Sequence, residues 1–191
     1  MLTHLSGSIP EEVCNLSKLT ELDLSQNNFF GSITSKIGRL SSLSILALNA
    51  NNLTGPIPIS IGSLHNLSRL ILVDNRLNGS IPKEVGMMKS LNMLDLSTNQ
   101  LTGPIPTSIG NLVTWKLDQL SALYLGENMF SGSIPASVGN MTKLVELSLL
   151  YNHLSGPIPS FSNLTHLESF QISDIHFSGP LPENVCYGGQ L

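Results

Sequence analysis

Leucines recur in this chain at two superposed spacings, and together they predict a stack of small identical units. Within one unit, Leu70 and Leu72 alternate with Arg69, Ile71 and Val73, the period-two pattern of a short strand with one buried face. Between units, Leu43, Leu46, Leu48, Asn51 and Leu53 superpose without a gap on Leu67, Leu70, Leu72, Asn75 and Leu77. Glycines keep the same beat at positions 7, 31, 55, 79, 103, 132, 156 and 179, with gaps of 24 residues broken by one of 29 and one of 23. Asn27, Asn51, Asn75, Asn99, Asn128 and Asn152 each stand four residues before a glycine of that series. A fixed period in this range predicts a solenoid rather than one globular core.

One unit reads Leu-x-x-Leu-x-Leu-x-x-Asn-x-Leu-x-Gly-x-Ile-Pro-x-x-Ile-Gly-x-Leu-x-x, and residues 67–90 (LSRLILVDNRLNGSIPKEVGMMKS) are a good copy. A single unit cannot bury its leucines, but stacked neighbours turn them into a continuous core. The asparagine amide carries donors and an acceptor, so at the inward turn after the strand it can bond the backbone of its own and the adjacent unit. Gly supplies a turn that needs no Cβ, and Pro after Ile cannot donate to an internal ladder, which favours an extended return segment over an α-helix.

These columns, with LTGPIPTSIGNL at 101–112 as the second half, resemble the plant-specific subclass of the leucine-rich repeat. The resemblance implies an α/β solenoid. It would be a right-handed superhelix with a concave parallel sheet of about seven short strands and a 3-10 or irregular convex side. The whole chain, 1–191, then forms one array: a half repeat at 1–18 and repeats starting at Leu19, Leu43, Leu67, Leu91, Leu120, Leu144 and Leu167. Residues 113–119 are an insertion, because forcing the 24-residue register would put Asp118 and Leu123 in the Leu and Asn columns. The array starts and stops inside a repeat, without the paired-cysteine caps usual in extracellular members. The reading is a central piece of a longer array, with a short gene product that has lost both flanks as the rival.

Composition narrows the function classes. The chain has 191 residues, 41% hydrophobic and 12% charged, with a net charge of −4. No basic run or aromatic-basic interleaving points to nucleic acid. No apolar stretch approaches the ~18 residues of a membrane span, and LTHLSGSIP after Met1 lacks the features of a signal peptide. Cys14 and Cys186 share the column of the second glycine, seven repeats apart. At ~4.8 Å per strand that is roughly 33 Å, far beyond the ~7 Å a disulfide allows. His4, His65, His153, His166 and His176 fall in different columns without metal-ligand spacing, and His166 and His176 read as surface residues. The Gly-x-Ile-Pro repeat lacks the Gly-Lys-Ser/Thr ending of a phosphate loop. Asp23 and Asp95 share a strand column too far apart for a paired acid and base. The expectation is a non-enzymatic protein with no cofactor and no metal.

What remains for function is the outward side of the strands. Arg69, Ile71, Val73, Tyr124, Leu150 and Tyr151 form the candidate ligand face, because apolar groups gathered on a concave surface suit a peptide or protein footprint; scattered exposure is the competing reading. A related receptor group reads a peptide carboxylate with two close arginines, and Arg69 stands alone. Three irregularities remain: Trp115 in the insertion, as a tolerated bulge or a partner anchor; Phe161-Ser162 in place of Ile-Gly; and Ile175 in the Asn column, which predicts a looser last repeat. Six N-x-Ser/Thr sequons, at Asn15, Asn52, Asn66, Asn78, Asn140 and Asn163, suggest a secreted glycosylated surface. Asn15, Asn140 and Asn163 share one column, so part of that signal is also repeat consensus.

The wording QISDIHFSGPLPENVC and LYLGENMFSGSIP resembles the MDIS1-interacting receptor kinase group of leucine-rich repeat receptor-like kinases. That implies an ectodomain at the extracellular face of the plasma membrane, sensing a peptide or protein ligand with a co-receptor as a further partner. The kinase and membrane span of such receptors would lie outside this chain. A secreted inhibitor of the polygalacturonase-inhibiting type and an intracellular scaffold are the alternatives.

Overall fold

The computed structural model describes residues 4–113, 120–173 and 176–178. Seven strands of three residues, from Glu21–Asp23 and Ile45–Ala47 through Arg69–Ile71, Met93–Asp95, Ala122–Tyr124 and Glu146–Ser148 to Ser169–Gln171, form one parallel sheet in chain order. Their central residues align in one row, Leu22, Leu46, Leu70, Leu94, Leu123, Leu147 and Phe170. Leu46, Leu70, Leu94 and Leu123 are wholly buried, as the period-two pattern demands. Strand pairing continues across the long gap, with Ala122 opposite Met93 and Tyr124 opposite Asp95. The extra residues therefore leave the sheet register intact; Trp115 itself lies outside the described residues.

The sequence predicts one parallel sheet, and the structure has a second. Eight strands, from Ser6–Ser8 and Asn28–Ser32 to His153–Gly156 and His176–Phe177, run beside the first sheet. The return segment is extended, as the Gly and Pro columns suggest, but its backbone also pairs with the next repeat. The remaining side carries 3-10 helices at Glu11–Asn15, Ser35–Arg39, Ile59–Ser63, Lys83–Met87, Thr107–Val113 and Ala136–Asn140; no α-helix occurs among the described residues. Pro10, Pro58, Pro82 and Pro135 start four of them with φ between −60° and −69°, the value the ring imposes. Where Thr34 replaces Pro, its Oγ1 accepts from the Lys36 N–H at 3.2 Å.

Two columns set the spacing of the stack. Asn75 donates through Nδ2 to Leu48 O (3.0 Å) and Leu72 O (3.2 Å), and its Oδ1 accepts from Leu53 N (3.0 Å). Asn51, Asn99, Asn128 and Asn152 repeat this arrangement, each reaching the preceding repeat. On the 3-10 side, a Cβ on Gly86 would lie 2.2 Å from Ser108 O of the next repeat, so only glycine permits that approach. Cys14 holds the equivalent place in the first turn, is buried with a free thiol, and burial raises its pKa. Cys186 and Ile175 lie outside the described residues. In the shortened repeat, Phe161 takes the Ile position, is 2% exposed, and meets Phe170 edge to face at 5.1 Å.

Candidate functional site

Each strand of the seven-stranded sheet offers two outward side chains, and register sets them in rows. Ile71, Asp95, Tyr124, Ser148 and Gln171 lie side by side in one row. Arg69, Met93, Ala122, Glu146 and Ser169 form the other. Just beyond the strands the chain bends sharply. Gln26, Ala50, Asp74, Thr98, Glu127 and Tyr151 all hold φ between 51° and 58°, the left-handed region that costs a non-glycine residue ~1–2 kcal/mol. The bend aims consecutive N–H groups at the next repeat: Ala50 N reaches Val73 O at 3.0 Å and Asn51 N reaches Asp74 O at 3.1 Å. Nothing in the sequence announces it, because this column holds Gln, Ala, Asp, Thr, Glu and Tyr rather than Gly.

Around Tyr124 the face sinks into a shallow, open depression of about 280 Å³. Gly126 helps to form it: a Cβ there would come within 3.1 Å of Leu150 Cδ1. Asp95 and Glu127 line it with Tyr124, and Ser148, Leu150 and Gln171 continue it toward the last strand. Hydroxyls hold the carboxylates in place. Asp95 Oδ1 accepts from Ser97 N (3.1 Å) and Ser97 Oγ (2.5 Å), and Glu127 Oε2 accepts from Thr98 Oγ1 (3.2 Å). Tyr124 donates its phenol proton to Glu146 Oε2 at 2.5 Å. Desolvation, that hydrogen bond and the negative charges of Glu146 and Asp95 push the Tyr124 phenol up to about 12. The Asp-Leu-Ser geometry recurs at Asp23, where the Ser25 hydroxyl and N–H hold the carboxyl below its usual range.

The six candidate ligand-face residues are not one cluster. Tyr124 and Leu150 share the depression; Arg69, Ile71 and Val73 lie on the Arg69–Ile71 strand and the bend after it, outside its lining. Tyr151 is 51% exposed and occupies the left-handed bend, whereas Ile71, Val73, Tyr124 and Leu150 are half-buried by their neighbours. The depression also takes in polar residues of the same outward face, Asp95, Glu127, Ser148 and Gln171, which the apolar criterion does not select. Only their place in the outward strand columns could have flagged them.

The sequon asparagines Asn15, Asn52, Asn66, Asn78, Asn140 and Asn163 are all exposed. Asn52 and Asn78 lie on the eight-stranded sheet, Asn15 and Asn140 end 3-10 helices, and none of the six is on a strand of the seven-stranded sheet. Among the described residues there is no group of three or more His, Cys, Asp or Glu able to hold a metal, and no helix long and apolar enough to cross a membrane.

The Leucine Rich Repeat family model matches residues 18–40, 90–112 and 119–141. Comparison with curated proteins gives no match. Among solved structures, a TDR receptor is similar at 34% identity and a TM-score of 0.92, covering 98% of this chain and 32% of that one. The Arabidopsis receptor kinase HAESA, solved with the peptide hormone IDA and the co-receptor SERK1, is similar at 36% identity and a TM-score of 0.92, covering 100% of this chain and 32% of that one. The plant peptide hormone receptor RGFR1, in complex with RGF2, is similar at 35% identity and a TM-score of 0.81, covering 91% and 27%. The chain thus spans about a third of the length of these receptors or less. Repeats that match the family along the sequence and a solenoid that superposes along nearly all of its length make this chain a leucine-rich repeat protein with the architecture of plant receptor-kinase ectodomains.

Proposed function

We propose that this chain is a non-catalytic recognition module on the extracellular side of a plant cell, part of a receptor-kinase ectodomain. It binds a peptide or protein ligand on the seven-stranded sheet, with a co-receptor as second partner. The superposition on hormone-receptor ectodomains carries the reading. The chemistry of the sheet agrees with it. The leucine, asparagine and glycine columns are consumed by the stack, which leaves the outward strand positions to vary. Glycans on the six sequons would crowd the second sheet and the 3-10 side with the turns that follow it, while the seven-stranded sheet stayed open.

Selection of a random displayed-peptide library against the chain tests the recognition step. Binders should lose affinity on Ile71→Asp or Leu150→Asp and keep it on Met129→Asp, an exposed position on the second sheet. A library that yields no binder sensitive to the first two changes would sink peptide recognition by this face. Compartment has its own measurement. Expression in plant secretory cells should add glycosidase-sensitive mass at the sequons, and a chain that passes through that route with none occupied would count against an extracellular site.

A further inference from the structure

The depression beside Tyr124 holds an excess of negative charge that nothing on the sheet neutralises. Asp95 and Glu127 line it and Glu146 is bonded to Tyr124 from outside the lining; each engages one carboxylate oxygen with a hydroxyl, from Ser97, Thr98 and Tyr124 respectively. None of the three has a cationic partner: among the described residues the one ion pair joins Lys36 to Glu11. Arg69 is the nearest cation by register, yet it lies opposite Met93 and forms no ion pair with Asp95. A second feature points the same way. Ser148 lines the depression, is 8% exposed, and its hydroxyl makes no hydrogen bond among the described residues. Ser60 Oγ is the one fully enclosed side-chain polar atom without a partner among the described residues, so the small exposed part of Ser148 includes its hydroxyl, which opens into the depression and is free to accept from an incoming polar group.

Resting on the peptide-recognition reading above, we infer that this depression is the subsite for an arginine side chain of the peptide ligand. Asp95, Tyr124 and Ser148 come from adjacent strands ~4.8 Å apart, so acceptors are spread across the floor rather than focused on one point. A guanidinium matches that spread. It is planar, carries five N–H donors and no acceptor, and gives up its hydration more readily than an ammonium. Carboxylates at Asp95 and Glu127 accept from the fork, and Ser148 Oγ accepts from an inner N–H. Leu150 supplies an apolar wall for the methylene stem, which such side chains lay along hydrophobic surface. The side chain missing at Gly126 leaves room for it.

The test uses the 191-residue chain and three small probes: acetyl-Gly-Arg-Gly-amide, the same peptide with citrulline, and the same peptide with lysine. Citrulline keeps the shape of arginine and loses the charge. Followed by backbone amide NMR shifts, the arginine probe should move Tyr124, Ser148, Leu150 and Gln171 and bind about tenfold more tightly than citrulline, the scale of a charge-assisted contact. Asp95→Asn with Glu127→Gln should abolish that preference, and Ser148→Ala should weaken arginine binding several-fold. Asp23→Asn, an acidic change outside the depression, should leave it intact. Equal binding of arginine and citrulline, or shifts confined to other repeats, overturns the subsite. Lysine binding as tightly as arginine overturns the guanidinium assignment. The two readings fail separately: sheet-face binders from the displayed library without arginine enrichment refute this subsite and leave peptide recognition standing.

Discussion

Replacing Asn75 by Ala is the most direct test of what holds the repeats together. The amide joins three segments: Nδ2 donates to Leu48 O, Leu72 O and Val73 O, and Oδ1 accepts from Leu53 N. Leu53 is wholly buried, so its N–H is stranded by the substitution, at ~1–3 kcal/mol. The carbonyls suffer less. Leu48 O keeps the Asn51 amide at 3.1 Å and Leu72 O keeps the Asn99 amide at 3.0 Å, so this side adds ~0.5–1.5 kcal/mol of lost bonding. A total near ~3 kcal/mol corresponds to a fall in Tm of roughly 6–12 °C for a chain of this size. Asn27 provides the control. Its Oδ1 accepts from the N–H of Leu5, which is 62% exposed, so water replaces the bond and Asn27→Ala should cost ~1 kcal/mol or less. Asn75→Asp keeps the acceptor but turns a carboxylate on three carbonyl oxygens. Its buried carboxyl is pushed up in pKa, so its penalty is present at neutral pH and eases as pH falls and the acid regains a donor. Urea unfolding followed by far-ultraviolet circular dichroism measures all three. Costs for Asn75→Ala and Asn27→Ala within ~0.5 kcal/mol of each other would refute the argument that burial of the ladder sets its worth.

Three further outcomes follow from the same geometry. Gly86→Ala should destabilise by ~3 kcal/mol or more, because its Cβ would meet backbone at 2.2 Å, whereas Gly31→Ala has room and bears only the ~1–2 kcal/mol of its left-handed φ; equal thermal shifts would contradict the close-stacking account. Ala50→Gly should stabilise by a few tenths to ~1 kcal/mol, since relief at φ 54° outweighs the entropy glycine adds to the unfolded chain; a lower urea midpoint would count against strain at the bend. Tyr124 holds its proton up to about 12 in the fold against 10 when free. Its contribution to stability is therefore complete below pH 10 and is lost as pH rises toward 12. Absorbance at 295 nm should show a late-titrating phenol that Tyr124→Phe removes, and an unchanged curve would reject the assignment.

Most of the scaffold is legible in the chain because scaffold chemistry repeats. A leucine at every outward-inward alternation, an amide at every inward turn and a glycine at every close approach are required once per 24 residues, so sequence alone displays them as columns. The strand faces, the asparagine bonding to its own and the preceding repeat, and the survival of register across the long gap all follow from those columns. The second sheet does not. Whether an extended return segment merely runs alongside its neighbour or pairs with it depends on stacking distance, and that distance is set by contacts between repeats.

The ligand face shows the same division more sharply. Period and column establish which residues point outward, and with them the solenoid and its repeat family. They do not establish how far neighbouring outward residues cover one another. Ile71 and Val73 read as exposed apolar groups yet are half-buried, while Ser148, an ordinary polar residue in sequence, ends up only 8% exposed in the depression that Asp95 and Glu127 also line. That outcome belongs to the tertiary structure, because it arises from side chains 24 to 29 residues apart brought within one strand spacing. A repeat can announce its own core, but its surface chemistry exists only between repeats.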